Sequence, residues 1–236
     1  MNKILTIAFK ELDSYFKSPI ATIVLVVTLS VFNIFFYMIV EQNREATLRD
    51  MFQLMEFMFV FIVPLLTMRV FAEEKRSGTM EFLQTAPVSN GGIVLGKYLG
   101  SLIFLTVLIV LTSIYYAFME YYGQPDKGAT LIGYGGIWLE GAFFLGVGLF
   151  MSSLTRNQLV AAILTYAILF LLFFSVIFLK YVSGPYEELI RILSVWSHSE
   201  SLFRGLVETK DILYFFIGLM ACLGLTRLAI ENKIWH

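Results

Sequence analysis

The sequence predicts an all-α integral membrane protein with six transmembrane helices, and three observations predict it. The 236 residues are 58% hydrophobic and only 15% charged, whereas a soluble domain is about half apolar and about a quarter charged. The mean hydropathy is +0.78, and the apolar residues, 23 phenylalanines among them, come in long runs rather than at one-face spacing. A soluble fold cannot hide that much apolar surface. Finally, six of the runs meet or approach the ~20 residues that a membrane-crossing helix needs.

Those runs are roughly 20–40, 51–71, 98–119, 131–154, 159–179 and 212–230. The first and fifth carry no charge, the second contains Glu56 and Arg69, and the fourth contains Glu140. The sixth includes Arg227, whose guanidinium must snorkel to the membrane surface. An even count puts both termini on one side. Lys and Arg mark that side as the inside: Lys3, Lys10, Lys17, Arg69, Lys75, Arg76, Lys97, Arg156, Arg227 and Lys233 lie there, against Arg44, Arg49 and Lys127 in the two short outer connections. Segment 180–211, with Lys180, Arg191, Arg204 and Lys210, softens the contrast. Tyr115, Tyr116, Tyr121 and Tyr122 then form an aromatic belt at the outer end of span three.

Residues 2–17, "NKILTIAFKELDSYFK", place Ile4, Leu5, Ala8, Leu12, Tyr15 and Phe16 on one helical face and Lys3, Lys10, Asp13 and Lys17 on the other. This periodicity predicts an amphipathic helix in the membrane interface, ended by Ser18-Pro19. The competing reading is a plain cytoplasmic tail.

Several function classes fall away. A net charge of −1 gives no reason to expect nucleic acid. The single Cys222 permits neither an internal disulfide nor a cysteine metal cluster. Charges at Lys3, Lys10, Glu11, Asp13 and Lys17 interrupt the N-terminus, so no signal peptide is expected. His198 and His236 stand isolated from ligand-spaced carboxylates or thiols, so no metal site is expected. No nucleophile motif of a membrane protease is present, so no catalytic residues are assigned.

Gly91-x-x-x-x-Gly96-Lys97 begins like a phosphate-binding P-loop, but Tyr98 stands where a Ser or Thr must hold magnesium, and no strand precedes the glycines. Gly96-Lys97 instead marks a close-packed helix start with an interfacial lysine. Upstream, Ser77-Gly78-Thr79 is expected to open a short helix with Ser77 or Thr79 as N-cap, apolar through Met80, Phe82 and Leu83 and stopped at Ala86-Pro87. Glu73, Glu74, Lys75, Arg76 and Glu81 give this stretch charges of both signs. Residue chemistry leaves two readings open: a docking helix for a soluble partner, or a solvated connection.

A carboxylate at mid-bilayer costs roughly 2.5–3.5 kcal/mol on insertion scales. Glu56 and Glu140 therefore either line a translocation route or hold helices together by hydrogen bonds. Span four is also rich in small residues, including Gly141, Gly146 and Gly148, that let another helix approach closely.

The passage "FAEEKRSGTMEFLQTAPVSNGGIVLGKYLG" resembles the signature of type-2 ABC exporter permeases, in which an acidic-basic cluster precedes Gly-Thr-x-Glu-x-Leu and Thr-x-Pro-Val-Ser. Glu73, Glu74, Gly78, Thr79, Glu81, Leu83, Pro87, Gly96 and Lys97 match that pattern. "KELDSYFKSPIA" is similar to the family's N-terminal elbow helix, and "GLFMSSLTRNQLVAA" to its span-four to span-five turn. "SESLFRGLVETKDILYF" resembles the last outer segment of the gliding-motility and copper-enzyme-maturation subgroup.

The resemblance implies one permease domain over 1–236, with an elbow helix at 1–18, a cytoplasmic coupling loop at 73–97 and an extracytoplasmic segment at 180–211. It implies a coupling helix whose Glu73, Glu74, Lys75, Arg76, Gly78, Thr79, Glu81, Leu83 and Pro87 contact a separate ABC ATPase subunit. ATP and magnesium would belong to that ATPase, with no cofactor in this chain. A second permease copy or a related chain would complete the path, in a bacterial inner membrane with both termini cytoplasmic. Glu140, Gly141, Gly146 and Gly148 would line that path or pack helices. Residues 181–211, with Pro185, Trp196 and two short helices, would suit an extracytoplasmic accessory protein. The rival reading is a secondary transporter or a nucleotide-independent scaffold, although no internal repeat is visible.

Overall fold

The computed structural model describes residues 3–43, 46–81, 88–178 and 184–231. Their regular structure is entirely helical: α1 (Lys3–Lys17), α2 (Pro19–Asn43), α3 (Arg49–Thr67), α4 (Ala72–Ser77), α5 (Asn90–Leu111), α6 (Ser113–Tyr122), α7 (Lys127–Leu154), α8 (Gln158–Phe178), α9 (Pro185–Leu193), α10 (Val195–Phe203) and α11 (Thr209–Glu231). Six helical stretches are long and apolar enough to cross a membrane: Pro19–Gln42, Arg49–Ser77, Asn90–Tyr122, Lys127–Leu154, Gln158–Ile177 and Thr209–Glu231. The second joins α3 to α4 and the third joins α5 to α6. The six-span expectation holds.

Element boundaries follow local chemistry. Pro19 opens α2, where its missing N–H is not needed. Ser89 caps α5 by accepting from the Gly92 N–H, and Asp126 caps α7 by accepting from the N–H groups of Gly128 and Ala129. Span three therefore starts at Asn90, earlier than the expected 98, because a capped helix propagates through the Gly-rich run ahead of the apolar one. Residues 90–97 belong to α5 rather than to a loop. The two short helices expected after residue 180 are present as α9 and α10.

α7 is the axis of the bundle. It packs against α3, α5, α8, α10 and α11, and its small residues are what admit them. A Cβ on Gly141 would meet Leu105 at 2.6 Å, and one on Gly148 would meet Thr67 Oγ1 at 2.1 Å. Gly133, Gly136 and Gly146 face Phe52, Leu202 and Leu219 in the same way. The close approaches that the sequence left unassigned are thus made within this chain. By contrast α2, α8 and α11 turn large apolar side chains outward, such as Ile23, Ile34, Leu159, Leu171 and Ile217. Those rims suit contact with lipid chains.

α1 lies along α5. Its seat is a glycine track on α5: a Cβ on Gly96 would stand 2.7 Å from that of Ile7, and one on Gly100 2.7 Å from that of Glu11. With Gly92 near Ile4, the spacing of four carries the track along one face of α5. Ala8 and Tyr15 of α1 are buried, while Leu5, Phe9 and Phe16 remain exposed apolar residues on its outer side.

Candidate functional site

At the end of the bundle where α1, α4 and the first turns of α5 meet, Lys97 organises the structure. Its ammonium lies 2.9 Å from Glu11 Oε2 on α1, 2.8 Å from Glu74 Oε1 on α4, and 2.9 Å from the Val70 carbonyl. All three of its donors are thereby used. The side chain is 3% exposed, so the expected interfacial lysine is a buried one. The reason is the early start of α5, which carries Lys97 in between α1 and α4. Burial is tolerable because two carboxylates and a carbonyl replace its water. Glu74 Oε2 is buried with no hydrogen-bond partner among the described residues.

Beside this clasp opens a cleft of about 260 Å³ lined in part by Lys10, Glu11, Arg69, Glu73 and Glu74. Arg69 braces its wall, donating to Ser18 Oγ at 2.6 Å and to the Ser14 carbonyl at 3.1 Å. The Arg69 guanidinium stands 4.9 Å from the Tyr15 ring centroid. The Tyr15 hydroxyl donates to the Leu66 carbonyl and lies 3.0 Å from Ser101 Oγ. Burial, and then the Glu11 charge, push this phenol above its usual range, which keeps it a donor.

α4 is fastened to the end of α7. The helix of span two breaks over residues 68–71, and the freed N–H groups of Phe71 and Ala72 both donate to Ser152 Oγ at 3.1 Å. The Ser152 hydroxyl itself donates to the Met68 carbonyl. The Lys75 ammonium donates to the Ser153 carbonyl. Gly78 then ends α4 with φ 73°, a left-handed conformation that suits glycine. Helix resumes at residues 79–81.

Two of the charges expected to face a partner therefore turn inward. Glu74 reaches Lys97 on α5 and Lys75 reaches Ser153 on α7, because α4 is packed between those two helices and each side chain turns to a different one. Glu73, Arg76, Thr79 and Glu81 stay exposed, with Gly78 between them. Ser77 closes α4 rather than opening a new helix. Leu83 and Pro87, with the rest of the expected coupling helix, lie outside the described residues. Gly91 and Gly96 sit inside α5, so they do not form the loop that cradles phosphate.

The interior and the opposite end hold a second set of polar groups. Glu56, 1% exposed, accepts a 2.6 Å hydrogen bond from Ser199 Oγ of α10. His198, expected to be isolated, instead places Nδ1 2.7 Å from Asp211 Oδ1 and stacks on Tyr214 with centroids 4.2 Å apart. The Ser201 hydroxyl donates to the other Asp211 oxygen. These partners come from α10 and α11, at separations no spacing rule reads. Glu140, Gly141, Gly146 and Gly148 are all buried in the middle and far half of α7. Among the described residues no group of three or more His, Cys, Asp or Glu is placed to hold a metal ion.

A family model described as ABC-2 family transporter protein matches residues 5–230. The match runs from within α1 to within α11. The chain belongs to the ABC-2 family of transporter proteins. A search of curated proteins returned no match. Membership makes this chain a multi-pass membrane protein and the permease component of a transporter.

Proposed function

We propose that this chain is the membrane subunit of an ATP-driven exporter. It couples hydrolysis by a separate ABC ATPase to substrate translocation or to force transmission. The observation that carries this reading is the double attachment of α4: Lys97 ties it to α1 and α5, and Ser152 and Lys75 tie it to α7. A push on the exposed edge at Glu73, Arg76 and Glu81 reaches three other elements through short polar contacts. Docking centres on residues 73–87, and the permease itself has no catalytic residues; ATP and magnesium are held by the ATPase. Two copies, or this chain and a related one, enclose the path.

The finer reading places the chain in the gliding-motility and copper-enzyme-maturation subgroup of a bacterial inner membrane. Both termini then face the cytoplasm, and α9 and α10 present a surface to an extracytoplasmic partner.

The test is recovery of the ATPase per permease after pull-down. Glu81→Arg should weaken it strongly, because reversing a charge in a partly buried contact leaves its partner unpaired. Asp126→Arg, at the other end of the bundle, should leave it unchanged. Equal recovery from wild type and Glu81→Arg removes the docking role.

A further inference from the structure

Glu140 stands at the midpoint of α7 and is fully buried, yet neither carboxyl oxygen has a hydrogen-bond partner among the described residues. Glu56, also buried, lies on the stretch of α3 between Phe52 and Phe59, which pack on Gly133 and Gly141 of α7, the glycines that bracket Glu140. Among the described residues no counter-charge is paired with either carboxyl. α10 brings Ser199, already bonded to Glu56, and Glu200, which is paired with Arg49 and Arg204. His198 is engaged by Asp211 of α11. Tyr214 of α11 donates to the Leu193 carbonyl and Tyr98 of α5 to the Ala142 carbonyl, so neither hydroxyl proton serves Glu140. Cys222 of α11 faces the Gly146 turn lower on α7.

Two uncompensated carboxylates in such a place would be very costly, so the pocket requires a positive ligand. A metal ion would need about six oxygens around it. Here the adjacent turn of α7 packs on Phe59 and Leu105 instead. The cation that needs neither space nor further ligands is a proton.

We propose that Glu140 and Glu56 form a proton-binding site within the bundle, filled in the closed packing described here and exchanging with water only when α3, α7 and α11 part. The site stands independently of the ATPase docking on α4. It gives the permease a pH-sensitive step of its own.

The test is infrared spectroscopy on the full-length chain in lipid nanodiscs. Near neutral pH the exposed carboxyls are ionised, so a protonated-carboxyl band shifting in deuterium oxide reports a buried acid. Wild type should show that band, and Glu140→Gln should lose it. Should Glu140→Gln not fold, Glu140→Asp serves, and it should shift the band frequency. A wild-type spectrum without the band overturns the proposal. So does a band that survives Glu140→Gln, or one that added sodium or potassium chloride erases at constant pH, which would mean a metal-cation site.

Discussion

Lys97 and Glu11 lie 86 residues apart in the chain, and 2.9 Å separates the lysine ammonium from the glutamate carboxylate. With Glu74 as the third member, this contact holds the amphipathic N-terminal helix, the end of span two and the start of span three in one register.

Lys97→Met should lower stability by about 3–5 kcal/mol, because it strands two carboxylates in a largely dry site. Adding Glu11→Gln and Glu74→Gln should recover most of that loss. Thermal unfolding in detergent measures both, and an equal deficit in the single and triple variants rejects the ion triad.

Ser152→Ala removes the acceptor shared by the Phe71 and Ala72 N–H groups. Leaving buried donors unpaired costs about 1–3 kcal/mol, and α4 should become more open to proteolysis. Ser153→Ala is the matched control. Its hydroxyl bonds only within its own helix, and its carbonyl still receives Lys75. Indistinguishable digestion of the two variants would count against the Ser152 link.

Gly148→Ala should destabilise by about 1–3 kcal/mol through overpacking, since the new methyl would press on Thr67. Thr67→Ala in that background should restore part of the loss. Gly135→Ala, where a Cβ meets nothing within 4 Å, should be neutral or gain about 0.5–1 kcal/mol from helix propensity. The melting temperatures of the four proteins decide it.

Topology follows from single-cysteine labelling in a Cys222→Ser background. Positions 78 and 156 should be shielded from an impermeant thiol reagent applied outside, and position 126 should react. Labelling of 78 from outside reverses the orientation.

The purified chain, without its ATPase, should bind no ATP. Magnesium-dependent binding that Lys97→Ala abolishes would make the Gly91–Lys97 segment a nucleotide site after all.

The spans and α1 are legible in the sequence because hydropathy and one-face periodicity act over a dozen or more residues at once. Their limits are less so. Span two runs on to Ser77 through a break whose freed N–H groups at Phe71 and Ala72 are taken up by Ser152, eighty residues beyond Ala72. The role of Lys97 is likewise invisible: its partners sit on two other helices, and its neighbours read as a degenerate phosphate motif. Glu56 with Ser199, and His198 with Asp211, are pairs that packing creates. One signal was available: Gly92, Gly96 and Gly100, at a spacing of four, announce the face on which α1 rests.

The central position of α7 constrains how the protein is made. Spans enter the membrane in chain order, and α3 and α5 both reach their final packing by closing on a helix not yet synthesised when they insert. Until residue 154 has left the ribosome, Phe52, Phe59 and Thr67 lack the glycines that receive them. Glu56 meanwhile waits for a serine 143 positions downstream. The first half of the chain therefore reaches its final packing only after α7 has been made. Mutations at the α7 glycines should accordingly show first as nascent chains lost to membrane proteolysis, ahead of any defect in transport.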